Sequence, residues 1–236
     1  MEGARAVAGA IDRALEALRE GKPVMVYDSG GREGEVDLVY PAWSVTWREI
    51  RDLRVSAGGL ICYASLYSIL SPLGVRWASE IISNIPELKP LASKRPGYGD
   101  PPAFTIWVNH VSVRTGISDE DRAKTVRALD RVVELAYKGD VEGAAKMFRE
   151  EFMAPGHVPI LASRGLDRRR GHTELAVSLA LLAGLRPSVV LAEMLGDRWS
   201  LSLEEARRVA EKRRIPLVTG DEVVEVCLGV EVCRSS

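Results

Sequence analysis

Within the ten residues from Asp28 to Asp37 the chain carries four carboxylates, Asp28, Glu33, Glu35 and Asp37, and the guanidinium of Arg32. Hard divalent cations take oxygen ligands, and a glycine-rich connection lets carboxylates converge on one ion without the rigidity of a helix. The same residues also suit a solvated loop whose acids face water. A second polar segment, Arg169-Arg170-Gly171-His172-Thr173-Glu174, opens a helix. The free amides of a helix N-terminus, the Thr173 hydroxyl and flanking arginines make a phosphate cradle, and His172 adds a metal ligand or a proton carrier. Ordinary capping by Thr173 is the alternative there.

Single residues extend the candidate set. His157, in Pro155-Gly156-His157, is a general acid or base or a structural turn histidine. Glu193 ends the apolar run Val189–Ala192, and Thr115-Gly116-Ile117-Ser118 offers hydroxyls and amides ahead of a helix. Cys62 lies inside the apolar stretch Leu60–Ala64 and reads by default as a small buried hydrophobe.

The elements that must position these groups follow from periodicity and caps. Val7, Ile11, Ala14 and Leu18 share one helical face, closed by Gly21 and Pro23. Strands are expected at Pro23–Tyr27, Val36–Tyr40, Leu60–Ala64, Phe104–Asn109, Val158–Ala162, Ser188–Glu193 and Ile215–Val218. Thr46 with Glu49, and Ser202 with Glu205, form capping boxes. Ser118 with Asp121 opens a helix reaching about Lys138, further helices cover Val141–Phe152 and Thr173–Ala183, and a terminal one starts at Asp221. Pro155-Gly156 reads as a turn, and residues 65–102 as a long irregular excursion with one short helix. Strands and helices intermix without a strict βαβ rhythm, so the expected fold is α+β: one three-layer α/β/α domain over residues 1–236, built on a mixed sheet.

Composition narrows the function classes. With 32 basic and 33 acidic residues there is no global field to draw the chain onto nucleic acid or an anionic membrane. No signal-like or membrane-spanning apolar run occurs, which places the protein in the cytoplasm. Three cysteines, Cys62, Cys227 and Cys233, lack metal-ligand spacing and argue as an odd set against a disulfide framework. The absence of Gln, only two Asn and abundant charge suit a thermophile.

In chain order, Arg32-Glu33-Gly34-Glu35-Val36-Asp37-Leu38, Gly58-Gly59-Leu60-Ile61-Cys62, Thr115-Gly116-Ile117-Ser118 with Asp121-Arg122, Pro155-Gly156-His157, Gly171-His172-Thr173-Glu174 and Ala192-Glu193-Met194 resemble the 3,4-dihydroxy-2-butanone-4-phosphate synthase family of riboflavin biosynthesis. The resemblance implies a lyase that converts ribulose 5-phosphate into 3,4-dihydroxy-2-butanone 4-phosphate and formate with Mg²⁺ or Mn²⁺. It implies Glu33 and His172 as metal ligands, with Arg32, Glu33, Asp37, Thr115, Arg169, Arg170, Gly171, His172, Thr173 and Glu193 against the substrate. Asp28, Asp37, His157 and Glu193 become the proton carriers, Cys62 lines the site, and the family's homodimer puts its sites close to the subunit interface. Ser29-Gly30-Gly31 departs from the more acidic family loop and is expected to be mobile before substrate arrives; residues 65–102 have no match. The second domain fused in some relatives, GTP cyclohydrolase II, is expected to be absent. Two other readings stay open on the residues alone: a nucleotide- or RNA-binding module of related fold, and another metal-dependent isomerase or aldolase acting on a sugar phosphate.

Overall fold

In the computed structural model, which describes residues 2–228 together with 230 and 233, the first apolar face forms α1 (Glu2–Arg19). It buries Ile11, Ala14 and Leu18; the side chain of Val7 lies outside the described residues. The chain continues through β1 (Val24–Tyr27), β2 (Val36–Pro41), α2 (Trp47–Asp52) and β3 (Cys62–Leu66). Thr46 caps α2 in the expected capping box, and a π-turn over Leu53–Ala57 carries the chain on to Gly58. The excursion that follows holds three short helices instead of one: α3 (Tyr67–Leu70), α4 (Ala78–Ser83) and α5 (Lys89–Ala92). None has the apolar periodicity of a long helix, which is why the pattern hides them. Then come β4 (Phe104–His110), α6 (Asp119–Tyr137), α7 (Val141–Glu151) and β5 (Phe152–Ser163). The chain closes with α8 (His172–Leu182), β6 (Ser188–Glu193), α9 (Leu203–Arg213), β7 (Leu217–Thr219) and α10 (Gly220–Cys227).

The seven strands form one mixed sheet in the order β4-β5-β3-β6-β2-β1-β7. Only β3–β5 and β1–β7 pair in parallel; the other neighbours are antiparallel. One face is covered through Ile50 of α2, Val126 and Leu129 of α6, Phe148 of α7 and Ala206 of α9. The opposite face is covered through Leu18 of α1, Leu175 and Leu179 of α8, and Val223 of α10. This is the expected three-layer arrangement. Helix α8 is buried on nearly every side, and fully burying a leucine stabilises by about 2 kcal/mol. Its packing therefore carries His172, Thr173 and Glu174, at its first turn, below the surface.

Two expectations are corrected. Pro155-Gly156 does not precede the strand but falls inside the twelve-residue β5, at a break where its register to β4 steps from Val108↔Val158 to Asn109↔Met153. Residues 154–157 have no paired residue on β4 and form a bulge in which Gly156 lies against the backbone of Val108, where a Cβ would not fit. The odd cysteine count also misleads, since Cys227 and Cys233 form a disulfide and Cys62 alone is free and buried. Closing a loop over a sequence separation of 6 removes about 2 kcal/mol worth of chain entropy from the unfolded state. The Cys227→Ser/Cys233→Ser variant should lose about that much in chemical denaturation, and an unchanged midpoint would show that the bridge does not stabilise the fold.

Candidate active site

The acidic loop between β1 and β2 is folded around one of its own carboxylates. Asp28, buried at the end of β1, accepts hydrogen bonds from the backbone N–H groups of Glu33 (3.1 Å), Gly34 (3.0 Å) and Glu35 (3.2 Å). Three amide donors on one carboxylate fix a loop that would otherwise be free to sample many conformations. The result is a specific presentation of Glu33 and Arg32. Arg32 Nε lies 3.4 Å from Asp28, and its guanidinium also pairs with Asp100 and sits over the Tyr98 ring.

The two polar segments, far apart in sequence, meet at His172. Its Nδ1 lies 3.3 Å from Glu33 Oε2. Its Nε2 donates to the Glu35 carbonyl at 3.0 Å and lies 3.7 Å from Asp37 Oδ1. With Nε2 committed to a carbonyl, Nδ1 is the ring nitrogen facing the carboxylates. Ligand atoms of Asp28, Glu33 and His172 all fall within 4.8 Å of one another. Asp37 Oδ1 is buried and has no hydrogen-bond partner among the described residues. The Glu33 carboxylate, the His172 imidazole and the Asp37 oxygen beside them are a donor set that suits a hard divalent cation, with Asp28 close by but committed to loop amides.

Electrostatics in this pocket is dominated by burial and by these close charges. Burial pushes the Asp37 carboxyl up, the His172 charge opposes that, and the nearby Glu193 and Glu33 add to it, leaving a pKa of about 7. For His172, burial works against the charged ring, but Asp37, Glu33 and Asp28 outweigh it and raise its pKa to about 10. Glu33 resists burial through its bonds to His172 and Tyr98 and the Arg169 charge, and falls to about 2. Metal-free at neutral pH, His172 is thus an imidazolium in the place where the carboxylates call for a cation.

Strand pairing brings the remaining groups in. Asp37 on β2 sits opposite Glu193 on β6, and Cys62 on β3 sits opposite Leu191. The Glu193 carboxylate accepts from the Leu60 N–H at 2.8 Å. Gly59 lies so close to Glu193 that a Cβ there would run into the carboxylate. Burial, followed by the charges of Glu193 and Asp37, raises the Cys62 thiol well above its ordinary value, so it lines the site as a neutral thiol. At the start of α8, Arg169 is buried and bonds Glu174 at 2.5 Å, with Glu33 at 3.8 Å. Gly171 lies directly against the Arg169 guanidinium, where a Cβ would not fit.

These groups surround one cavity of about 400 Å³, lined by Glu33, Asp37, Cys62, Arg169, His172, Thr173 and Glu193, within the size range of small-molecule sites. Not all the expected site residues reach it. Arg170 is exposed and faces a different hollow beside Cys227 and Cys233, because the backbone that buries Arg169 sends its neighbour outward. Asp28 does not line the cavity; its oxygens are spent on loop amides. Thr115 and His157 form a separate exposed cluster on the β4–β5 ribbon. There Asn109 Oδ1 accepts the His157 N–H at 2.8 Å, and Asp121 gathers the N–H groups of Arg114, Thr115 and Gly116.

Sequence reasoning misses Tyr98, Asp100 and Glu174. Tyr98 and Pro102 close one wall of the cavity from the irregular excursion. An isolated Tyr and Asp among prolines and glycines carry no periodic signal. Glu174 was legible as part of its motif but not as the partner of Arg169.

The match of the 3,4-dihydroxy-2-butanone 4-phosphate synthase model to residues 12–226 spans every element that builds this cavity. The chain belongs to that family. Among synthases of this name, the one from Methanosarcina mazei is 39% identical over 228 residues, covering 92% of this chain and 91% of its own. That of Archaeoglobus fulgidus is 36% identical over 223 residues, covering 91% and 92%. The solved Candida albicans synthase superposes with a TM-score of 0.69 at 28% identity, over 92% of this chain and 96% of its own. A synthase crystallised in complex with two magnesium ions gives a TM-score of 0.72 at 26% identity, over 94% and 98%. The synthase fold, with its mixed sheet, thus covers nearly the whole chain.

Proposed function

We propose that this synthase converts ribulose 5-phosphate into 3,4-dihydroxy-2-butanone 4-phosphate and formate, acting in the cytoplasm as a homodimer with Mg²⁺ or Mn²⁺. The observation that carries the reading is the convergence of Glu33, His172, Asp37, Arg169, Thr173 and Glu193 on one cavity. No helix among the described residues is long and apolar enough to cross a membrane. The atoms balance without oxidant or co-substrate: a five-carbon ketose phosphate divides into a four-carbon phosphate and a one-carbon acid.

Each group has a part suited to that chemistry. Arg169, Thr173 and the free amides at the start of α8 hold the phosphate, whose binding energy positions the reacting carbons. Glu33 and His172 hold the cation, which when bound polarises the ketose carbonyl and its neighbouring hydroxyl. Asp37 and Glu193 face each other across β2 and β6 and flank the reacting carbons. A group with a pKa near neutrality both takes and returns protons, and Asp37 meets that requirement. Arg32, which is not part of the cavity lining but pairs with Glu33 and Asp100 beside it, orients the sugar hydroxyls.

His157 and Thr115 complete the site from the second subunit. They are exposed on the β4–β5 pair and the loop after β4, which also expose Trp107, Val111, Ile117 and Met153. Such a run of large apolar side chains is a surface that another copy would cover. The activity test is direct: purified protein with ribulose 5-phosphate and Mg²⁺ should release formate, and chelation should stop it. Absence of formate would sink the reading.

A pH dependence follows from His172. Its contribution to the stability of the metal-free fold is complete below about pH 6.5 and is lost as the pH rises through about 10. Metal must displace that proton, so at pH 8 binding should release close to one proton and Mg²⁺ affinity should rise with pH. Calorimetry in buffers of different ionisation enthalpy measures the release. Proton-neutral binding at pH 8 would exclude His172 as a ligand.

A further inference from the structure

A second cavity, of about 650 Å³, opens where the parallel strands β3 and β5 end. Its wall comprises Tyr67, Ser71, Trp77, Ser163, Arg164 and Arg168 among others. The Arg164 guanidinium lies 3.5 Å from the centre of the Trp77 ring. Tyr67 stacks on that ring at 4.5 Å and 22°, so the indole is held between an arginine and a tyrosine. Stacking fixes the guanidinium plane, and a guanidinium held in plane presents its remaining N–H groups for recognition of an anion.

The charge pattern around Arg164 is unusual for a structural arginine. None of the ion pairs among the described residues involves it; the neighbouring carboxylates bond elsewhere, Glu174 to Arg169 and Asp167 to Arg168. Burial and the like charges of Arg169 and Arg95 lower its pKa, against the opposing charges of Glu174 and Glu80. A half-buried guanidinium with no ion pair among the described residues, the exposed Arg168 guanidinium beside Asp167 and the Ser71 hydroxyl all border one hollow.

We propose that this cavity is a second anion site, which takes the phosphate group of a small organic phosphate on Arg164 and Arg168. Its occupancy reaches the catalytic cavity by two routes. The Arg164 N–H donates to Glu174 Oε1 at 3.0 Å, while Glu174 Oε2 holds Arg169. The Arg164 side chain also donates to the Pro102 carbonyl at 3.3 Å, and Pro102 lines the catalytic cavity. An anion drawing Arg164 outward therefore disturbs both the arginine assigned to the substrate phosphate and one wall of its pocket. The binding site stands on its own geometry; the effect on turnover rests on the proposed reaction.

Titration calorimetry of the magnesium-loaded protein with inorganic phosphate, up to about 10 mM, tests the site. Wild type should bind two phosphates per chain. Arg164→Met should lose one of them, and Arg168→Met should weaken the same one about tenfold, so that a folding defect in the first variant leaves the second informative. Arg169→Met should remove the other. A wild-type chain that binds one phosphate, lost in Arg169→Met, overturns the proposal, as does retention of both in Arg164→Met and Arg168→Met. In the formate assay, phosphate should inhibit wild type in a mixed pattern and Arg164→Met or Arg168→Met in a purely competitive one. Competitive inhibition of wild type alongside two-site binding would refute the coupling but keep the site, whereas absence of formate would instead count against the proposed reaction.

Discussion

Glu33→Ala should lower kcat by at least about a thousandfold. Glu33 stands at the junction of both halves of the site. One oxygen lies against His172 and the other reaches toward Arg169 and Arg32. Removing it leaves the cation one carboxylate short and frees His172 from a partner that supports its charge. Mg²⁺ affinity should therefore fall about a hundredfold with the rate. Glu33→Gln, which keeps the shape and hydrogen bonding but not the charge, separates ligation from packing. A Glu33→Gln enzyme that keeps more than about a tenth of its metal-dependent formate release would show that Glu33 is no ligand. Circular dichroism and the thermal midpoint of the metal-free variant check that the fold survives.

His157→Ala should be as inactive as Glu33→Ala, yet mixing the two inactive proteins should restore turnover. In a two-fold dimer whose sites draw Glu33 from one chain and His157 from the other, a mixed dimer has one site lacking both residues and one with neither missing. Random exchange at equal concentrations makes half the dimers mixed, so about a quarter of wild-type activity should return. The structure motivates this because His157 and Thr115 cluster on the exposed β4–β5 ribbon and line no part of the cavity formed by their own chain. Specific activity should also fall on dilution as dimers dissociate. A mixture that stays inactive after subunit exchange has been verified by mass spectrometry would place His157 in its own chain's site or outside catalysis.

Much of the site was legible because its chemistry is concentrated in short polar segments. Arg32–Asp37 and Arg169–Glu174 are conspicuous against apolar strands, and the capping boxes at Thr46 and Ser202 mark helix starts by local hydrogen bonding alone. What was not legible depends on three-dimensional context. Nothing local distinguishes Arg169, buried against Glu174, from the exposed Arg170. Pro155-Gly156 carries the composition of a turn, and nothing local shows that it forms a bulge within a longer strand, with Gly156 against the β4 backbone. Tyr98 and Asp100 become part of the site through contacts with Glu33 and Arg32 that no spacing encodes. The Cys227–Cys233 bridge was hidden because parity counts cysteines without saying which are near each other. Chain order placed Thr115 and His157 in the same list as Glu33, while the fold separates them by surface and depth.

The sheet order has a consequence for the newborn chain. Glu33 and His172 are 139 residues apart, and Asp37 gains its neighbour Glu193 only when β6 inserts between β2 and β3. Strands near the N-terminus must therefore wait, unpaired on one edge, until most of the polypeptide has left the ribosome. Such long-range pairing makes folding slow and leaves apolar edges exposed meanwhile. The same arrangement means that an incomplete chain cannot assemble the cation pocket, so a truncated synthesis product would not compete for metal or for sugar phosphate.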